Sequence, residues 1–310
     1  MNKVLMLSIW YPLAMSRYFE KSLQHRLDVD LRTVGPYTGA SIPWMGGMTL
    51  PMKYAKSPYY PTYPVVPRQS WLQVKNMLGD WKPDLILTVD AGITFDKRPD
   101  IGCPVYHVAT DPHVLNYDFA RSISDKFFNM QDFYSIPGDI YLPYAFSQFD
   151  HYIEPETKDA DAVLIGMPYE HRTRLVGSLR SRGVSVLFEN GPVYDEYRQI
   201  NNKAHIGLNW SSMKDMVARV FELMAMRLCP VINRVPDLPK FFVEGEHYLG
   251  FDSIEEAVEK VLWAKEHPTE AEQIAENAWK KVWKPDSSGY PQHSYCDRVE
   301  QILKSLEGDE

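Results

Sequence analysis

The sequence predicts an α/β protein made of two successive parallel-sheet arrays. Apolar runs of strand length alternate with helical periodicities along most of the chain, and several of these runs end in a polar loop at the start of a helix. A stretch rich in acids and prolines, residues 144–157, separates two such series. At 310 residues the chain has room for two domains of ordinary size.

The first array opens with residues 4–8 (VLMLS) as a buried strand, 16–26 as a helix and 27–34 as a second strand. Lys3 and the apolar run after it also outline a signal segment, but Trp10, Tyr11 and Pro12 suit a strand-to-loop exit better. Residues 35–69 are rich in proline, glycine and tyrosine and hold no period. Their aromatics argue against disorder, so they read as an ordered loop with Trp44, Gly46 and Gly47 at its apex. Such a loop either covers an acceptor site or packs on its own aromatics. Residues 71–78 form a short helix ended by Gly79, and 83–89 a buried strand followed by Asp90, Ala91 and Gly92. Another buried strand, 103–109, leads into Thr110, Asp111, Pro112 and His113, and 140–143 is the last short strand.

The second array follows the linker. Residues 162–165 form a strand ending at Gly166, 170–182 an arginine-rich helix, 184–189 a strand closed by Asn190 and Gly191, and 193–202 a helix. Then come a strand (205–209), a polar loop (210–215), a helix (about 216–227) and a strand (230–233), the spacing of a parallel βαβ unit. A strand at 247–251, a helix at 254–267 and a polar helical tail (269–282 and 290–306) complete the chain. No repeat of solenoid period appears.

Composition narrows the function classes. Hydrophobic content of 45% and charged content of 24% are those of a globular protein. The net charge of −8 falls entirely beyond residue 150 and no basic run occurs, which argues against non-specific nucleic-acid binding. An anionic ligand must then be held by a few placed groups rather than by the overall field. Cys103, Cys229 and Cys296 are odd in number and lack metal-ligand spacing, as reduced thiols of a cytoplasmic protein would. No apolar run reaches the length of a membrane span.

The candidate site centres on residues 205–235. In open parallel sheets, ligands sit beyond the carboxyl ends of strands, where a helix begins. That place holds Asn209, Ser211 and Ser212, then Arg219 and Glu222 on the helix, a set suited to a sugar nucleotide. The helix is apolar almost all round, which buries Glu222; the alternative to a ligand role is a structural Arg219–Glu222 pair at i,i+3. Asn209, Ser211 and Ser212 either touch the ligand or cap the helix. Gly166 followed by Arg172 and, more weakly, Arg174 offers backbone donors and guanidinium forks to phosphate. In the first array, His113 and Asp111 end a strand and have the chemistry of a general base. His205, inside an apolar strand, reads as structural, and no His or Cys spacing suggests zinc.

Several segments together carry a family resemblance: YLPYAF (141–146), VLIGMPYEHRTRLVGSLRSRGVSV (163–186), NNKAHIGLNWSS (201–212), ARVFELMAMRLCPVINRVPDLPKFFVEGEHYLGFDSIEEAVEKV (218–261) and HSYCDRVEQIL (293–303). With these the chain resembles glycosyltransferases of the GT-B fold, specifically the CgeB-like group named for spore-coat maturation proteins. The likeness is good over residues 141–303 and weak before them. It implies two Rossmann-like domains facing a central cleft. Residues 1–145 would be the acceptor domain, 158–288 the nucleotide-sugar domain, and 289–310 a helix returning toward the first domain.

The resemblance also implies the chemistry: transfer of a sugar from a nucleotide diphosphate, a UDP-sugar, to an acceptor hydroxyl, with neither metal nor other cofactor. Glu222 in FELMAM matches the glutamate that holds the ribose, Arg219 would face the diphosphate, and Glu189 with Asn190 and Gly191 lies where the nucleobase would rest. The family's other glutamate falls on Lys214, a charge reversal with Asp215 one place off, so retention or inversion stays open. Inversion would need a base such as His113 or Asp111. Asp28 and Asp30 form a D-x-D, a metal and diphosphate motif in one transferase class, but inside an alternating strand it reads as a solvated face. The acceptor is open among polysaccharide, protein, small molecule and modified nucleic-acid base. A nucleotide-sugar epimerase or hydrolase on the same fold, or a non-catalytic binding protein, are the alternative readings.

Overall fold

A computed structural model of the chain describes residues 1–11, 13–36, 61–65, 71–90, 97–155 and 157–307. The loop apex at Trp44, Gly46 and Gly47 lies outside these residues, as do Ala91 and Gly92. The chain divides into two compact units, Met1–Pro143 and Tyr144–Glu310.

The first unit is a seven-stranded sheet flanked by helices. Its strands are β1 (Asn2–Leu7), β2 (Val29–Gly35), β3 (Tyr63–Pro64), β4 (Leu85–Val89), β5 (Val105–Ala109), β6 (Lys126–Asn129) and β7 (Ile140–Tyr141). They lie in the order β3-β2-β1-β4-β5-β6-β7, every pairing parallel. Strands covered on both faces are mostly apolar, and all five residues of both β4 and β5 are buried; their two polar members, Thr88 and His107, bond to each other. The helices are α1 (Ser16–Gln24), α2 (Trp71–Leu78) and α3 (Asp118–Ile123). Trp71, Val74 and Leu78 share one face of α2 and pack on Leu5, Leu7, Val34, Ile86 and Val105. Gly79, at φ +57°, ends that helix in the left-handed conformation that glycine adopts without strain.

Two local expectations are corrected in this unit, and the exposed Asp28 and half-buried Asp30 bear out a solvated face in part. Leu27 is fully exposed in a turn, so the second strand begins at Val29. Asp28 is held by Arg26 (2.8 and 3.0 Å), and Asp30 accepts the indole N–H of Trp81 (2.8 Å). The segment expected to be irregular contributes β3, whose two residues extend the sheet beside Val34 and Gly35.

The second unit is a five-stranded parallel sheet in the order β12-β11-β10-β8-β9. Its strands are β8 (Ala160–Ile165), β9 (Val186–Glu189), β10 (Ala204–Asn209), β11 (Cys229–Asn233) and β12 (Leu249–Phe251). The helices are α4 (Glu170–Arg180), α5 (Tyr194–Asn202), α6 (Ala218–Ala225), α7 (Ile254–Glu266), α8 (Pro268–Trp283) and α9 (Tyr295–Glu307). Leu175, Val176 and Leu179 of α4 and Val258 and Val261 of α7 join one core; Leu223 of α6 joins Val163 and Ile165 in another.

Two consequences position the site. The order of the strands reverses between β8 and β10, and at such a point the connections leave in opposite directions and open a crevice at the strands' carboxyl ends. Helix α6 comes close to the sheet at Gly207, where a Cβ would stand 2.8 Å from a Leu223 methyl carbon. A side chain there would have to displace that of Leu223, through which α6 packs on β10.

Helix α9 buries Tyr295, Val299, Ile302 and Leu303, a spacing of i, i+4, i+7 and i+8. It is tied to the start of this unit by main-chain bonds from Phe146 to the His293 carbonyl and from Tyr295 to the Phe146 carbonyl, both 3.0 Å. Among the described residues no helix is long and apolar enough to cross a membrane.

Candidate functional site

The carboxyl ends of β8 and β10 each contribute a small or polar residue to the crevice: Gly166 and Asn209. Arg172, on the first turn of α4, and Arg219, on the first turn of α6, both reach Gly166. A Cβ on that glycine would lie 2.7 Å from Nη2 of Arg219 and 3.1 Å from Nη1 of Arg172. A side chain there would displace the guanidinium ends, and at φ +156° it would also strain the backbone.

Arg172 is buried, and neutral oxygens hold it. Its Nε and Nη2 donate to the Trp210 carbonyl (2.9 and 2.6 Å) and its Nη1 to the Met167 carbonyl (3.2 Å). Arg219 Nη1 donates to Oδ1 of Asn209 (2.9 Å), while its Nε is buried with no hydrogen-bond partner. Neither guanidinium makes an ion pair with a carboxylate of the described residues. Burial first, and then the neighbouring Arg219 charge, push the Arg172 guanidinium down to about 10. The two guanidinium groups stand side by side, Arg172 buried and Arg219 half-buried, with Asp215 acting on Arg172 only through its charge; such a pair has the chemistry to attract an anion.

Glu222, one turn further along α6, is buried and turned to other partners. Tyr197 of α5 donates its hydroxyl to Oε2 (2.6 Å), and Nε2 of His151 stands 3.7 Å from Oε1. The anticipated structural pair of Arg219 with Glu222 is therefore not formed: each has its own partners. Neither Tyr197 nor His151 carried a sequence signal, because chain separation hides a contact that only the packing of α5 and α6 creates.

The remaining candidates sort by geometry. Helix α6 starts at Ala218 with Val217 at its N-cap and no side-chain cap bond, so Asn209, Ser211 and Ser212 do not cap it. Ser211 is fixed to the end of β11 instead, its N–H donating to Oδ1 of Asn233 at 2.8 Å. Ser212 reaches His171 at 3.5 Å. Glu189 keeps an exposed side chain and gives its carbonyl to the Gly166 N–H (2.9 Å), and Gly191 turns the chain at φ +96°. Arg174 lies on the solvated face of α4, 4.0 Å from Glu170. His205 was expected in the buried part of its strand, but it is exposed near the strand's start. Lys214 is exposed in a turn at φ +59°, beside Asp215, which accepts the Met213 N–H.

In the first unit a polar cluster stands at the carboxyl ends of β4 and β5. Asp90, at φ +66°, accepts hydroxyl hydrogens from Thr110 and from Tyr117 (3.1 Å) on the same oxygen. Thr110 also lies 3.3 Å from Asp111. Burial and then the Asp90 and Asp111 charges push the hydroxyls of Tyr11 and Tyr117 well above the usual phenol range. The Asp111 carbonyl accepts the N–H groups of Val114 and Leu115 in the turn that carries His113, whose ring stacks on Tyr134 at 5.0 Å. Along the chain Asp90 merely follows a strand; the sheet order puts it beside the reversal between β1 and β4. No group of three or more His, Cys, Asp and Glu among the described residues could hold a metal.

Two doubly wound parallel α/β units of this kind define the GT-B class of fold. Residues 156–304, a little under half of the chain, match the model of a family described as "Glycosyl transferase-like". Among solved structures, HepE of Anabaena in complex with UDP-glucose superposes with a TM-score of 0.63 at 10% identity, over 99% of this chain and 100% of that one. Sucrose-phosphate synthase of Thermosynechococcus elongatus gives 0.62 at 11% identity, over 100% of both chains. The UDP-GlcNAc 2-epimerase of Neisseria meningitidis bound to UDP-GlcNAc gives 0.55 at 13% identity, over 99% of this chain and 100% of that one. No curated protein matches the sequence.

Proposed function

We propose that this protein is a glycosyltransferase that moves a sugar from a UDP-sugar to an acceptor hydroxyl, in the manner of the CgeB-like group. The observation that carries this reading is the convergence of Arg172 and Arg219 on Gly166 without a carboxylate on either. A diphosphate has the charge and the spread of oxygens to bridge two guanidinium forks. As the bond to the sugar breaks, charge grows on the departing diphosphate, and fixed cations in a water-poor place stabilise that change. This is the work a metal performs in other transferases, and here the two arginines do it.

Glu222 holds the ribose in this reading, one helical turn from the phosphate-binding Arg219 on the same rigid element. The acid cluster of the first unit, Asp90 and Asp111 with His113, supplies the base for the acceptor hydroxyl. Burial pushes the Cys103 thiol up to about 11 and the Cys229 thiol up to about 12, and all three cysteines are free, which suits the cytoplasm.

The test is a thermal-shift panel of nucleoside diphosphates, followed by product analysis with a labelled donor. A rise in melting temperature with UDP, lost in Arg219→Ala, supports the donor site; no rise with any nucleoside diphosphate at millimolar concentration sinks it. The 2-epimerase among the fold neighbours makes epimerisation the rival reaction. Label recovered in a free epimeric sugar, with no acceptor required, would decide for the rival.

A further inference from the structure

We infer that Tyr197 and His151 are positioning residues that hold the Glu222 carboxylate in the orientation that reads a ribose diol. The inference rests on the donor-site reading above and deepens it.

The geometry is specific. Tyr197 donates to one oxygen of Glu222 (2.6 Å), and His151 faces the other (3.7 Å). The ring centroids of the two residues lie 5.8 Å apart in an edge-to-face arrangement. The main-chain N–H of Ser147 donates to Nδ1 of His151 (3.0 Å), so the ring nitrogen facing Glu222 is the one that carries hydrogen. His151 is itself fixed: its N–H donates to the Ser147 carbonyl (2.8 Å), closing a tight turn. Arg198, next to Tyr197 on α5, donates to the Asp150 carbonyl (3.3 Å) and to Glu154 (2.6 Å), so one helix sets both supports.

The chemistry of the supports separates positioning from plain neutralisation. A carboxylate buried for structural reasons is most simply paired with a guanidinium, whose fork occupies both oxygens. Arg219 stands three residues away on the same helix and is spent on Asn209 instead. Tyr197 hydrogen-bonds one oxygen, while His151 faces the other at 3.7 Å, longer than a hydrogen bond, and a carboxylate oxygen has two lone pairs. Acceptor positions therefore remain on both oxygens, which is what two vicinal hydroxyls require. Fixing the side chain beforehand also removes a rotamer cost that ligand binding would otherwise carry.

The experiment measures affinity for UDP and 2′-deoxy-UDP in the full-length protein by calorimetry. The variants are Glu222→Ala, Tyr197→Phe, His151→Ala and His151→Gln, with inorganic pyrophosphate as the probe of the arginine pair. The unaltered protein should prefer UDP by roughly tenfold, the scale of one hydrogen bond to a charged group. Tyr197→Phe and His151→Ala should bring that preference down toward one while pyrophosphate affinity stays within about twofold. His151→Gln, which keeps a side-chain N–H, should restore most of it. A preference that survives Glu222→Ala, or is absent from the unaltered protein, removes the ribose role of Glu222 and this inference with it. A preference lost in Glu222→Ala but kept in Tyr197→Phe and His151→Ala, or a fall in affinity for all three probes alike, overturns the positioning role alone. Should His151→Ala fail to fold, Tyr197→Phe and His151→Gln decide the matter.

Discussion

Arg172 and Arg219 reach the same glycine from two different helices, and neither meets an acid. Each guanidinium is held in place by neutral oxygens, three bonds for Arg172 and one for Arg219. Like charges brought together without a counter-ion cost stability, and the cost is recovered when an anion binds. On the proposed reading, binding of the nucleotide diphosphate stabilises the fold.

That asymmetry predicts different outcomes for the two arginines. A charge-assisted hydrogen bond is worth about 1.5–3 kcal/mol. Arg219→Met should therefore lower UDP affinity roughly 10- to 150-fold by calorimetry, while the ligand-free melting temperature stays level or rises. Arg172→Ala should lose similar affinity and also melt earlier, because the Trp210 and Met167 carbonyls lose their donor.

Gly166→Ala places a methyl group where the two guanidinium groups meet. It should abolish the UDP-dependent rise in melting temperature. The backbone there, at φ +156°, adds strain of about 1–3 kcal/mol, read as an earlier thermal transition.

The two units should separate functionally. Asp90→Asn and Asp111→Asn each leave UDP affinity unchanged, since the donor residues all belong to the second unit. The variant that removes the proton-accepting carboxylate should slow transfer by about 10²-fold or more, and its neighbour by less. A loss of nucleotide binding in either variant would contradict the division of labour.

Glu20 predicts a pH effect on stability. Burial pushes its carboxyl up to about 7, and its Oε2 is buried without a hydrogen-bond partner. An acid whose folded pKa exceeds its unfolded value binds more protons in the folded state. Its contribution is complete below the unfolded value near 4.5 and falls away as pH rises through about 7. The full difference is about 3 kcal/mol by linkage. Glu20→Gln should raise the melting temperature at pH ~8 and change it little at pH ~4.

Strongly periodic elements were legible to within a residue or two. Helix α2 spans Trp71–Leu78, as its pattern indicated, and the arginine-rich helix, expected over 170–182, spans Glu170–Arg180. Elements with a weak apolar signal were not: α3 has no buried residue, and β3 is two residues long. The helix carrying the site begins at Ala218 rather than 216, because Val217 takes an extended conformation that the sequence pattern does not announce.

The sequence by itself determined the fold class, because apolar runs of strand length between helical periods can be buried only as covered parallel sheets. It also placed Gly166 at a strand end and Arg172, Arg219 and Glu222 on the helices that follow strands, since strand, loop and helix follow one another along the chain. Tertiary structure alone decided which of these meet. The order β12-β11-β10-β8-β9 sets the end of β8 beside the end of β10, so Arg172 and Arg219 converge. The packing of α5 against the sheet gave Glu222 to Tyr197 and His151 rather than to Arg219. Local pattern is written in neighbouring residues, whereas a partner across the sheet is fixed only when the strands take their order.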